Sequence, residues 1–139
     1  MDDSIDDLLE VLSLSNKGET TFVGRGSGHE GYGLFGGHQL AQSIVSAYRS
    51  VSAERRLHSV HGFFLRGGDG KKNINYDVAN IRDGRAFCQR RVTASQDDKQ
   101  IFDLTASFHT PEKGPGVIAP TAPRGAEPPE GLPTFEECM

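Results

Sequence analysis

The 139-residue sequence sets 15 Lys+Arg against 19 Asp+Glu for a formal net charge of −4, and only 35% of its residues are hydrophobic, with a mean hydropathy of −0.48. That size supports one domain with its own core plus a polar appendage, and the acidic balance argues against a protein whose main task is to grip a nucleic-acid backbone. No run of about 18 apolar residues is available to span a bilayer, and the acidic opening MDDSIDDLLE is unlike a signal or transit peptide, so a cytoplasmic chain is expected.

In chain order, Ile5, Leu8, Leu9 and Leu12 recur at helical spacing, with Ser4 as N-cap and Asp6 and Asp7 at the positive end of the helix dipole. Residues 20–26 (TTFVGRG) read as a brief strand. Residues 30–37 then hold four glycines, and the segment that follows, to Val51, carries a wide apolar stripe of Leu40, Ala41, Ile44, Val45, Ala47, Tyr48 and Val51. Such a helix is expected to be largely enclosed. Four strand-like runs come next, at 56–66, 73–81, 86–94 and 100–109, rich in β-branched and aromatic residues and separated by GGDGKK, RDGR and SQDDK. Asp83-Gly84 is a hairpin signal. The last run alternates, with Phe102, Leu104, Ala106 and Phe108 on one face and Ile101, Asp103, Thr105, Ser107 and His109 on the other, which predicts an antiparallel meander with one covered face. Strands of ~10 residues make a sheet about 33 Å long against about 22 Å for a ~15-residue helix. The simplest way to bury that helix is to curl the sheet around it, which is the α+β hotdog fold. All seven prolines fall at 111 or later, so a folded domain is expected over 1–113 and a Pro/Gly-rich linker or tail over 114–139. Cys88 shares a face with Ala86, Val92 and Ala94 and reads as core, while Arg90 and Arg91 must face opposite ways. Cys88 and Cys138 have no metal-ligand spacing, so reduced thiols, no metal and no cofactor are expected.

Residues 34–43 (LFGGHQLAQS), 57–94 and 100–114 (QIFDLTASFHTPEKG) together resemble the N-terminal half of type II acyl-CoA thioesterases, double-hotdog enzymes that hydrolyse fatty acyl-CoA. Two positions depart from that family: Gly67 stands where proline is usual, and His38 where glutamine commonly follows the two glycines. The family places its Asp, Thr or Ser, and Gln catalytic set in the second repeat. The resemblance therefore implies the first repeat alone, with Gln42 near the position of that aspartate and Ser107 near that of the glutamine. It also implies an acyl-CoA substrate, and pairing either with a second hotdog repeat or with a second copy as a homodimer, which would cover an exposed sheet edge.

Gly36, Gly37 and His38 open the long helix, where unpaired N–H groups can stabilise a thioester oxyanion. Crowding by the wrapping sheet would demand the same glycines. Of the two strand histidines, simple alternation puts His58 with Val60, Gly62 and Phe64, and His61 with Ser59 and Phe63, so at most one faces the helix. His58 is the preferred candidate to orient water or act as base, alongside Gln42 and Ser107; a strand-edge or protomer-contact role is the alternative. Arg66, Lys71 and Lys72 flank a glycine turn suited to the phosphates of coenzyme A, or are simply solvated. The expected activity is hydrolysis of acyl-CoA. Its competitor is a non-catalytic half giving scaffold, acyl groove or dimer surface to a catalytic repeat, and a dehydratase acting on acyl-CoA is a third reading kept open by His38.

Overall fold

Six strands form one antiparallel sheet against which a single long helix packs, in a computed structural model that describes residues 5–27, 33–114, 116, 119–125 and 128–139. Ser4, residues 28–32 of the glycine-rich stretch, and Val117 and Ile118 lie outside the described residues, as do the side chains of Asp6, Asp7 and Pro129. The elements run α1 (Ile5–Leu12), β1 (Ser15–Asn16), β2 (Thr21–Gly24), α2 (Gly36–Tyr48), β3 (Arg56–Phe64), β4 (Ile74–Asp83), β5 (Phe87–Gln96) and β6 (Lys99–His109). Two short 3-10 turns, Pro129–Gly131 and Glu136–Cys138, follow.

The sheet order is β1-β2-β4-β5-β6-β3. β4, β5 and β6 are the meander expected from their short connections; Asp97 and Asp98, at φ 48° and 59°, make the tight two-residue turn between β5 and β6. β3 departs from that expectation. It pairs with β6 at the far edge instead of with β4, because the long 65–73 connection lets the chain cross the sheet end where a hairpin would not. The face toward α2 is built from Ile74, Tyr76 and Val78 of β4, Cys88, Val92 and Ala94 of β5, and Phe102, Leu104, Ala106 and Phe108 of β6, all buried. Each large apolar side chain in that set contributes about 2 kcal/mol of burial.

The helix meets this surface with its small and polar side. His38, Gln39, Gln42, Ser43, Ser46 and Ala47 are buried, whereas Leu40, Ala41, Ile44 and Val45 are only half-buried along its flanks. The expected burial of the apolar stripe is thus corrected: serines and alanine let the helix axis lie close to the sheet, and Gln42 spans the remaining gap to the Tyr76 hydroxyl at 2.8 Å. Arg90 likewise points inward. It is 3% exposed and holds Ser50 through Oγ and the carbonyl, Asn80 Oδ1 and the Asp83 carboxylate, locking the end of α2 to β4 and β5. Arg91 faces out to Asp103.

Candidate active site at the start of the central helix

Three segments converge where α2 begins. Phe35 is the N-cap residue and offers no side-chain hydrogen bond, and no acidic residue stands in the first turn, so the first helical amides present partial positive charge without an internal counter-charge. The backbone just before them is tied to the β3–β4 connection by the Leu34 amide, which donates to the Gly68 carbonyl at 3.0 Å. Gly26, beyond the end of β2, lies so close to the same connection that a Cβ would overlap the carbonyl oxygens of Gly70 and Lys72. The helix start, the 25–27 segment and the 68–72 loop therefore share one end of the domain. At Gly36 a Cβ would lie 2.9 Å from the Phe64 ring, and at Gly37 it would lie 2.5 Å from the Phe35 ring. Crowding is real there, but it comes from two aromatic side chains that are themselves exposed.

His38, in the first turn of α2, is buried. Its Nε2 lies 2.8 Å from the Arg25 carbonyl and its Nδ1 2.7 Å from Ser27 Oγ. A carbonyl only accepts, so Nε2 carries the proton, and Nδ1 accepts from the Ser27 hydroxyl. Burial pushes the imidazole below its ordinary value, against an upward pull from the Arg25 carbonyl. A neutral histidine is thus fixed in one tautomer with an exposed serine on its basic nitrogen. His38 was legible as a departure from the resembled family; Ser27, eleven residues earlier, carried no periodic or motif signal.

The set Gln42, His58 and Ser107 is not brought together. Gln42 is fully buried, its Nε2 donating to the Val11 carbonyl at 2.6 Å and the Arg25 carbonyl at 3.1 Å while Oε1 accepts from Tyr76. It fastens α1, β2 and β4 to the helix, and burial pushes the Tyr76 phenol up. Ser107 points to the opposite side of the sheet, its register partners being Ser59 and Gln89. The face expected for His58 is corrected: a bulge between Leu57 and Ser59 adds a residue to β3, and His58 Nε2 meets Ser107 Oγ at 2.8 Å on the outer face. There its ring packs edge-on against His109 and Phe87, at 5.3 and 5.6 Å between centroids. His61, in register with Thr105, also faces outward, against Phe63. Neither strand histidine faces α2.

The 68–72 loop is held in place by Gln96, whose Oε1 accepts from the Asp69 amide and whose Nε2 donates to the Asp69 and Lys72 carbonyls. Sequence reasoning missed this support. Around the loop, Arg66 is exposed and donates to the Gln100 carbonyl, the Lys71 amide donates to Asp69 Oδ1, and Lys72 pairs with Asp97, which raises its pKa. All three candidate phosphate ligands sit on the side of the helix start, with Lys72 already carrying a counter-ion. Two clefts, of about 590 and 400 Å³, lie at the other end of α2 around Arg49 and Arg90. Arg49 is spoken for there, by the Leu14 carbonyl, Asn16 and the Phe22 ring. Among the described residues, no three His, Cys, Asp or Glu side chains are grouped to hold a metal ion, and no helix is long and apolar enough to cross a membrane.

Residues 25–109 match the acyl-CoA thioesterase N-terminal domain family. Acyl-CoA thioesterase 2 of Haemophilus influenzae is 37% identical over 114 residues, which is 82% of this chain and 40% of that protein. The solved tesB protein of Mycobacterium avium subs paratuberculosis superposes with a TM-score of 0.75 at 38% identity, over 87% of this chain and 49% of that one. A conserved protein of unknown function with a hot dog fold from Alicyclobacillus acidocaldarius, 21% identical, shares the fold at a TM-score of 0.73 over 91% of this chain and 47% of that one. The chain thus spans about 40% of the curated relative's length, and the matched segment contains the helix start, the 68–72 loop and all of β3 to β6. The chain belongs to the acyl-CoA thioesterase family, as a hotdog domain of the family's N-terminal type.

Proposed function

We propose that this domain takes part in hydrolysis of fatty acyl-CoA, binding the thioester at the start of α2. The observation that carries this reading is the convergence, within the matched segment, of uncapped helix amides with the 25–27 segment and the 68–72 loop. The amides of Gly36 and Gly37 are suited to the oxygen of a thioester carbonyl under attack. Arg66, Lys71 and Lys72 are suited to the phosphates of coenzyme A, at the same end of the domain. None of the three residues expected to activate water stands beside these amides: Gln42 is consumed by structure, and Ser107 and His58 lie across the sheet. Direct attack by water without a carboxylate base costs about 10²- to 10⁴-fold. Steady-state hydrolysis of acyl-CoAs of graded length by the 139-residue chain, beside a two-hotdog relative, should therefore run slower by about that factor. A rate equal to the relative's would show that this repeat is catalytically complete and overturn the reading.

The alternative, a half that lends scaffold and acyl groove to a catalytic repeat, is favoured by one feature. β3 is an edge strand, and Val60, Phe63, Phe64 and Leu65 on or beside it are exposed together with Phe35. Such an edge is suited to pairing with another hotdog, side by side. Light scattering should give a dimer at micromolar concentration, shifted to monomer by Phe64→Glu. A strict monomer in the unmodified chain would contradict this.

A further inference from the structure

The Ser27 and His38 pair has the parts of an activated nucleophile, and nothing in the thioester-binding reading uses it. A hydroxyl becomes nucleophilic when a neutral base accepts its proton and a third group holds that base in the correct tautomer. Here the base nitrogen is Nδ1, 2.7 Å from Ser27 Oγ, and the third group is the Arg25 carbonyl, 2.8 Å from Nε2. The arrangement is asymmetric in the way catalysis needs: the imidazole is 6% exposed, while Ser27 is exposed to solvent. A clasp that only fastened the 25–27 segment to α2 would need no hydroxyl at the surface. His38 itself stands in the first turn of α2, whose opening amides are the donors suited to an oxyanion.

We propose that Ser27 is a nucleophile, with His38 as its general base, that accepts an acyl group from a thioester or ester at the helix start. Its thioester part rests on the acyl-CoA reading above. In the first step the Ser27 Oγ–H proton passes to His38 Nδ1 as Oγ bonds to the carbonyl carbon. The carbon–sulfur bond then breaks, and the leaving sulfur takes that proton from Nδ1, giving free thiol and an acyl ester on Ser27. In the second, a water gives its proton to Nδ1 as it attacks the ester. The carbon–Oγ bond breaks, the proton returns to Oγ, and a carboxylic acid is released. The nearby glycine amides hold the oxyanion in both steps, and no other reactant is needed.

The test treats the 139-residue chain with p-nitrophenyl acetate, which does not need a coenzyme A site, and follows it by intact mass and peptide mapping. One acetyl group is expected, on Ser27, absent from Ser27→Ala and formed about 10²-fold more slowly in His38→Gln. No adduct, an adduct only elsewhere, or equal labelling of a folded His38→Gln variant would overturn the proposal. Should His38→Gln fail to fold, Ser27→Cys decides. Its new thiol should react with iodoacetamide faster at neutral pH than exposed Cys138 in the same molecule, and equal or slower reaction would again overturn it. Acyl-CoA turnover without Ser27 acylation would leave the thioesterase reading standing and remove this one. Ser27 acetylation without acyl-CoA turnover would do the reverse.

Discussion

The molecule holds two serine–histidine pairs of nearly equal length, and they do different things. Ser27 with His38 and Ser107 with His58 are separated by 2.7 and 2.8 Å. The first sits at the start of α2, its imidazole buried and fixed by the Arg25 carbonyl. The second lies on the outer face of the sheet, its imidazole exposed and packed edge-on against Phe87 and His109. Distance alone would rank them equal. Burial, a fixed tautomer and adjacent helix amides separate them, and each of those comes from the fold, not from the two residues.

The contrast extends to the polar side chains beside each pair, and the largest expected effect is there. Gln42→Ala removes three hydrogen bonds and strips their Gln42 partner from the Tyr76 hydroxyl and the Val11 carbonyl, while the Arg25 carbonyl keeps His38, which costs about 3 kcal/mol or more. Ser107→Ala on the outer face should cost about 0.5 kcal/mol or less. Urea unfolding midpoints of the two variants measure the difference, and equal midpoints would break the distinction between interior and outer face.

Next in size, His38→Ala strips a partner from the part-buried Arg25 carbonyl and opens a cavity where the imidazole is buried, for about 2 kcal/mol, against less than about 1 kcal/mol for His58→Ala. Thermal melting of both variants checks this. The smallest effect is on pH dependence. The His38 pKa is lowered in the fold by burial, so below its ordinary value of about 6.5 the unfolded chain takes up the proton first. Its contribution to stability is complete above that pH, is lost as pH falls toward the lowered folded value, and changes no further below it. The slope of stability against pH just below 6.5 should therefore be shallower in His38→Gln than in the unmodified chain.

Much of the fold could be read from periodicity. The alternation in 102–108 placed four buried residues of β6 correctly, and the helical spacing around Leu40 and Ile44 located α2. What could not be read depended on pairing between distant segments. The bulge at His58 exists only against β6, and it reverses the face that alternation assigns. The edge position of β3 follows from a long connection whose path the sequence does not state. Alternation required Arg90 and Arg91 to face opposite ways, but the partners that let Arg90 be the buried one, Ser50, Asn80 and Asp83, come from other segments. At the site, the glycine pair and His38 were visible as a helix start, but Ser27 meets His38 only because the 25–27 segment runs beside α2. The domain boundary near residue 113 rests on proline content; limited proteolysis should cut beyond it first, and early cleavage within 39–105 would move it.

The central claim is that the helix start, and not the outer face, receives the thioester. Hydrogen exchange with and without a non-hydrolysable thioether analogue of a long-chain acyl-CoA tests it most directly. The account predicts slowed exchange at 25–27, 36–40 and 66–72, with 57–61 and 107–109 unchanged; protection confined to 57–61 and 107–109, with the helix start unaffected, would contradict it.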